Sequence, residues 1–325
     1  MQIGYFLSSE EHGPKELVRQ AVLAQQNGFE ALWISDHFHP WTGEQGQSPF
    51  VWSVIGAVSE VCELPVTTAV TCPTVRVHPA VVAQAAATSA CLLDGRFTLG
   101  VGSGEALNEH VTGQRWPVAA VRLEMLEEAV DVIRQLFTGE KVYHHGRYYT
   151  VEDARLYTLP DSPPPIAVSG FGPKAIAVAA RIGDGFISTK PAEKDVASYR
   201  SAGGKGIAEA GVKVCWAPDE EAAARTAHRL WATQGLPGEL SQVLPSPEHF
   251  EQATALVTPE STASSVACGP DPTAYVEVIG SYADAGYDRL YISQMGPDSG
   301  GFFRFFSEQV RPLLGQRTHL RSGSA

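Results

Sequence analysis

The stretch QIGYFLSSEEHGPKELVRQAVLAQQNGFEALWISD, residues 2–36, sets the repeat from which the fold follows. QIGYFL (2–7) is rich in residues that suit a pleated strand. Pro14 then stands where a helix begins, its fixed φ already helical and its missing N–H not needed there. Leu17, Ala21 and Ala24 recur at helical spacing until Asn27-Gly28 ends the run, and ALWISD (31–36) follows at once as a second strand.

The same strand–helix alternation continues outward from this unit. Further strands are expected at PVTTAVT (65–71), FTLGVG (97–102), PPIAVSG (164–170), GFIST (185–189), GVKVCWA (211–217) and DRLYISQ (288–294), which makes eight. Helical runs separate them, such as 79–92, 119–137, 175–183, 220–233 and 274–286, and FFRFFSEQVRPLL (302–314) closes the series. Eight strands alternating with helices predict an α/β fold, a single (β/α)8 TIM-type barrel over residues 1–315. An open doubly wound sheet is the alternative. Two segments break the rhythm. KVYHHGRYYTVEDARLYTLPDSPPP (141–165) carries a β-hairpin signature with Gly146 at the turn, an insertion before strand five. LPGELSQVLPSPEHFEQ (236–252) reads as a loop with short helices near the end of strand seven. The tail QRTHLRSGSA (316–325) is expected to be disordered.

Hydrophobic residues at 44% and charged ones at 18% give ample core for a domain of 325 residues. A net charge of −12 argues against nucleic acid or an anionic membrane as partner, since both require clustered Lys and Arg. There is no apolar run of bilayer length and no basic n-region, so the expected location is cytoplasmic. The five cysteines are scattered without a CxxC pair and read as reduced thiols.

In such a barrel the loops after the strands build the active site. Strand two ends in SDHFHPW (35–41), where Asp36, His37 and Trp41 offer an acid, a general base and an aromatic wall. Local packing of the same His and Trp is the alternative, and both readings stay open on these residues alone. His37-x-His39 lacks a third ligand nearby, so no metal is expected. Strand four ends in GVGSGEALN (100–108), where glycines admit close approach and Glu105 stands one turn from Asn108. Glu105 also fits an ordinary helix start. Strand five ends in SGFGPK (169–174), whose helix-opening amides with Lys174 could receive an anion. Strands three and six add Thr71, Cys72 and Thr74, and Ser188, Thr189 and Lys190, to the same rim.

SDHFHPW, AVTCPTVRVHPA (69–80), GVGSGEALNE and GFGPK…RIGDGFIST together resemble the luciferase-like family of flavin and deazaflavin oxidoreductases. The likeness covers roughly residues 3–315 and is greatest to the group of glucose-6-phosphate dehydrogenases that use coenzyme F420, an 8-hydroxy-5-deazaflavin. The resemblance implies hydride transfer between F420 and a small-molecule substrate, in a homodimer. It implies that His37 is the base, with Trp41 and Glu105 as its catalytic neighbours. It places Asp36, Ala69, Val70, Cys72, Glu105, Asn108, Ser169, Gly170, Phe171 and Gly172 on the cofactor, with a cis bond between Ala69 and Val70. Glu10, Trp41 and Thr189 would meet substrate.

One departure bears on the substrate. The sugar-phosphate dehydrogenases of this group hold the phosphate with a Thr, two Lys and an Arg; Thr189 matches the first, but the basic positions fall near Ala192, Ser241 and Ser264. Losing three charge-assisted contacts, each worth about 1.5–3 kcal/mol, would nearly abolish phosphate recognition. A neutral alcohol, hemiacetal or carbonyl compound is expected instead of glucose 6-phosphate. An FMN-dependent monooxygenase of the same fold is the enzyme alternative, and a ligand-binding barrel without catalysis is the non-enzyme one.

Overall fold

The computed structural model describes residues 1–315; the expected disordered tail, 316–325, lies outside the described residues. Its strands are β1 (Gln2–Leu7), β2 (Leu32–Ile34), β3 (Val66–Thr68), β4 (Phe97–Val101), β5 (Val142–His145), β6 (Thr150–Ala154), β7 (Ile166–Ser169), β8 (Gly185–Ser188), β9 (Ile207–Cys215), β10 (Ala267–Cys268) and β11 (Arg289–Gln294). Parallel pairing runs β9-β11-β1-β2-β3-β4-β7-β8, and β8 pairs back to β9, which closes an eight-stranded barrel. β5 and β6 form the separate antiparallel hairpin, with the Gly146 amide donating to the Tyr149 carbonyl at its turn. The hairpin lies before the fifth barrel strand, as the sequence predicts.

The barrel has two packed shells because alternate residues of each strand face opposite sides. On β1, Tyr5 and Leu7 point outward among the helices, and Phe6 points inward. The helix Pro14–Gln26 returns Leu17, Ala21 and Ala24 to that outer shell, and Gly28 ends it at φ +74°, in the left-handed region. Inside, Phe6, Ala31, Trp33, Ala167, Ile187 and Tyr291 fill the bore. Trp33 and Tyr291 stack with centroids 4.3 Å apart. Gly4 and Gly211 make room for them: a Cβ on Gly4 would lie 2.4 Å from the Tyr291 ring, and one on Gly211 2.6 Å from Trp33.

Three elements depart from the expected boundaries. A helix at Val51–Ser59 joins β2 to β3, another at Glu193–Ser201 joins β8 to β9, and β9 begins at Ile207, not Gly211. The last has a clear cause. Glu209, Gly211 and Lys213 share one face of β9 while Ala208, Ala210 and Val214 enter the outer core, so charged residues occupy inward positions where apolar ones are expected.

Glu209 plugs the bore near the strand N-termini. It accepts from Arg289 (2.9 Å), the Tyr291 hydroxyl (3.1 Å) and the Trp33 indole (3.3 Å). Burial pushes its carboxyl up, opposed by Arg289 and the neighbouring donors. Glu209→Ala is expected to destabilise the protein by about 3 kcal/mol by stranding Arg289 in the bore. Pairing it with Arg289→Met should recover most of that loss, as measured by chemical denaturation.

Candidate active site

The C-terminal ends of the strands converge on His37, whose side chain is 9% exposed. Its Nε2 lies 3.5 Å from Glu10 Oε1 and 3.4 Å from Glu105 Oε1. Its Nδ1 lies 3.3 Å from the His39 carbonyl oxygen, and its ring packs 5.1 Å from Trp41. Three strand ends thus bring together one imidazole, two carboxylates and an indole: His37, Trp41 and Glu105 from the loops singled out in the sequence, and Glu10, which the resemblance alone puts at the substrate.

Each of these groups is held by a specific neighbour. Glu10 Oε2 accepts from the hydroxyls of Ser35 (2.7 Å) and Ser8 (3.0 Å). Burial pushes the Glu10 carboxyl up, but His37, Lys213 and the Ser35 hydroxyl outweigh it, and the net shift is downward. Asn108 is the keystone of the opposite wall. Its Oδ1 accepts from the amides of Phe38 (2.8 Å) and His39 (3.0 Å), and its Nδ2 donates to Glu105 (3.0 Å). Glu105 caps the short helix Ala106–Glu109, so one helical turn separates it from Asn108. Trp41 is backed by Phe250 at 5.1 Å, and the Gly43 amide donates to Glu251. These contacts lay the 236–252 segment against the loop after β2.

Asp36 sits one residue from His37 but turns into the protein. Its carboxylate receives Arg76 (2.9 Å) and the Thr71 hydroxyl (2.8 Å). Arg76 also donates its backbone amide to Glu109 (2.7 Å). Burial, the largest effect, pushes the Glu109 carboxyl up to about 7 against the pull of Arg76. A cavity of about 330 Å³ opens beside Arg76, lined also by His78, Gln114, Met125 and Tyr149.

The ends of β3, β4 and β7 meet across glycines. The Ala69–Val70 peptide bond is cis. A Cβ on Gly102 would lie 2.6 Å from Ser169 Oγ and 2.7 Å from Val70 Cγ2. Gly104, at φ +74°, passes equally close to Cys72, where a Cβ would lie 2.5 Å from the thiol sulfur. Gly170 packs on the following helix, while Phe171 is 48% exposed beside Gly172, which caps the helix Pro173–Ile182. Ala69, Val70, Cys72, Ser169 and Gly170 therefore belong to one wall, with Phe171 and Gly172 at its outer edge.

The positions compared with a phosphate site belong to different elements. Thr189 is exposed, with its carbonyl accepting from Tyr282, and Ala192 caps the helix Glu193–Ser201. Ser241 and Ser264 lie on the separate helical turn Leu240–Val243 and after Pro259–Ala263, and the Ser264 hydroxyl is spent on the Ser261 carbonyl. Sequence reasoning missed Arg76, Glu109 and Lys213. Lys213 points inward from β9 with its ammonium over Trp231 (3.7 Å to the ring centroid) and Phe6 (4.8 Å). Its register partner on β11, Ser293, is fully buried, and no hydrogen bond to its hydroxyl is formed among the described residues. Strand parity within β9 could have found Lys213, which shares its inward face with Glu209 and Gly211.

Residues 1–289 match the family described as luciferase-like monooxygenase. The chain is 35% identical over 331 residues to an F420-dependent glucose-6-phosphate dehydrogenase of Microbacterium testaceum, covering 98% of each chain. It is 37% identical over 330 residues to the enzyme of the same name in Rhodococcus erythropolis, covering 97% of this chain and 98% of that one. Among solved structures it superposes on an F420-dependent secondary alcohol dehydrogenase in complex with an F420–acetone adduct. The TM-score is 0.89 and the identity 31%, over 96% of this chain and 98% of the other.

The Glu109 carboxyl gives this wall a pH dependence of known sign. Its folded pKa of about 7 lies above the unfolded value, so the folded state binds the extra proton and stability falls as pH rises from about 4.5 to about 7. The loss attributable to this group is about 3 kcal/mol across that window. Glu109→Gln should remove it, leaving a flatter stability profile in denaturant titrations at pH 5 and pH 7.5.

Proposed function

This chain belongs to the luciferase-like family, and from that premise we propose that it transfers hydride between coenzyme F420 and a small neutral alcohol or carbonyl compound, with His37 handling the proton. The observation that carries the proposal is the His37 imidazole between two carboxylates, in the mouth of the barrel. The F420-dependent relatives and the F420–acetone neighbour favour the cofactor and a substrate of secondary-alcohol type. A soluble cytoplasmic homodimer with one domain over residues 1–315 completes the reading. No described helix is long and apolar enough to cross a membrane.

The residues fit a flat ring system with an anionic tail. Ala69, Val70, Cys72, Gly102 and Ser169 would hold the ring, and Phe171, Gly172 and the amides opening the helix Pro173–Ile182 the tail. When bound, a deazaflavin supplies a carbon centre that accepts or donates hydride. The protein supplies position and proton transfer. With Nδ1 directed at the His39 carbonyl, His37 presents Nε2 to the substrate hydroxyl. A proton taken onto Nε2 meets carboxylate oxygens on two sides, and Glu105, a quarter exposed, links it to the surface. Trp41 walls the substrate and, with the 236–252 segment, limits water.

Two measurements test this. His37→Ala is expected to lower turnover of a secondary alcohol by about 10²–10⁴ while quenching of deazaflavin fluorescence titrates as in the wild type. Unchanged turnover would remove His37 from the proton transfer, and tighter binding of FMN than of F420 would move the chain to the monooxygenases. Glucose 6-phosphate at millimolar concentration is expected to turn over negligibly at low and high salt. Efficient, salt-sensitive turnover would mean that cations such as Lys190 or Lys194 rebuild a phosphate site.

A further inference from the structure

The mouth of the barrel contains a half-buried cation that the proton-transfer reading leaves without a task. Lys213 enters on β9, the strand whose inward face also carries Glu209 and Gly211. Its ammonium is sandwiched between Phe6 of β1 and Trp231 of the helix Glu220–Trp231. The same indole donates its Nε1 hydrogen to Glu11 Oε1 at 2.5 Å, and the Gly296 amide donates to Glu11 Oε2. Phe6 lies four residues before Glu10, so the lysine rests between the strand that leads into the Glu10 loop and the helix Glu220–Trp231. Among the described residues Lys213 has no ion pair within contact distance. Glu10 and Glu11 are the acids whose charges oppose the effect of burial on it.

We propose that Lys213 is a positioning residue for His37: its ammonium, held by two aromatic rings, is the fixed counter-charge of the Glu10 carboxylate that faces His37 Nε2. The proposal rests on the reading of His37 given above and deepens it. Glu10 already has two hydroxyl donors on Oε2, from Ser8 and Ser35, which fix its plane and leave Oε1 toward the imidazole. Those neutral donors orient the carboxylate, but a buried anion beside a second acid also needs charge compensation. The charged and titratable groups around it are His37 from the loop after β2, Glu105 behind His37, Lys213 from β9, and Glu11 and His12 from its own loop. Of these, Lys213 is the cation that does not move a proton in the reaction. The electrostatics agree in direction: burial pushes the Lys213 ammonium down, partly opposed by Glu10 and Glu11, while Lys213 helps draw Glu10 down. Contact with two aromatic faces favours this placement of the ammonium over a swing toward solvent.

The task differs from simple packing, and the test separates them. Lys213→Met keeps volume and removes charge; Lys213→Arg keeps charge; Lys213→Gln stands in for methionine if that variant melts early. In the cofactor-free protein with 13C-carboxyl glutamate, Glu10 is assigned by its loss in Glu10→Gln. Its signal is expected to titrate at higher pH in the Met or Gln variant and near the wild-type midpoint in the Arg variant. With F420 and a secondary alcohol, the acid limb of kcat/KM should move the same way, so that kcat/KM at pH 6 falls by roughly 3- to 10-fold relative to its own value at pH 8. Arg should restore the profile. A Glu10 midpoint identical in wild type and Lys213→Met would overturn the proposal, and so would a shifted Glu10 with an unmoved acid limb. A shifted Glu10 in a protein that oxidises no alcohol in any variant would sustain the coupling and count against the substrate reading instead.

Discussion

Two carboxylates facing one imidazole nitrogen, at 3.5 and 3.4 Å, is the constraint around which the mouth of this barrel is arranged. Like charges repel, and buried ones lose hydration, so the arrangement holds only if each acid is fixed and the imidazole stays between them. Glu10 is fixed by two serine hydroxyls and Glu105 by Asn108. Asn108 also pins the backbone of Phe38 and His39, which carries the imidazole. One amide side chain thereby links the loop that bears the imidazole to the Glu105 carboxylate, and its 2% exposure shields those bonds from competing water.

Charge compensation then propagates outward from that centre. Asp36, next in sequence to His37, would be a third anion in the site if it were free. Arg76 and Thr71 draw it into the wall behind, and Glu109 binds the other side of Arg76. Lys213 does the corresponding service for the Glu10 loop. The bore below is closed by a separate ion pair, Glu209 with Arg289, stacked under Trp33 and Tyr291. The interior is therefore layered: a polar plug, an aromatic plate, and a charged mouth whose acids each have an assigned partner.

Most of this was legible where a residue's type announces both its place and its chemistry. The βα repeat, the hairpin at Gly146, and the sequence neighbours of His37 and Glu105 all follow from local pattern, and strand ends put them on one rim. The helix Val51–Ser59 was not legible, since VWSVIGAVS is apolar all round and lacks the polar stripe that marks a surface helix. β9 was half legible, because its inward Glu209 and Lys213 are charged and break the expected alternation. Arg76 and Glu109 were hidden for another reason: their pairing joins residues 33 apart, and one sequence carries no signal for such a contact. The resemblance to the family placed Asp36 on the ring system, while the geometry adds that both its oxygens already have protein partners.

The same bookkeeping of cations bears on what the mouth accepts. A phosphate dianion needs several free donors, of which cationic ones count roughly double. Arg76 is committed to Asp36 and Glu109, and Lys213 is enclosed by two rings among Glu10 and Glu11. Around them stand Glu10, Glu11 and Glu105, so the local field at His37 opposes a second anion. A small uncharged substrate escapes this field altogether. On the proposed reading it needs one hydrogen bond to His37 and an apolar wall such as Trp41. On that reading a neutral substrate suits this mouth, where two carboxylates face His37 and Arg76 is held by Asp36 and Glu109.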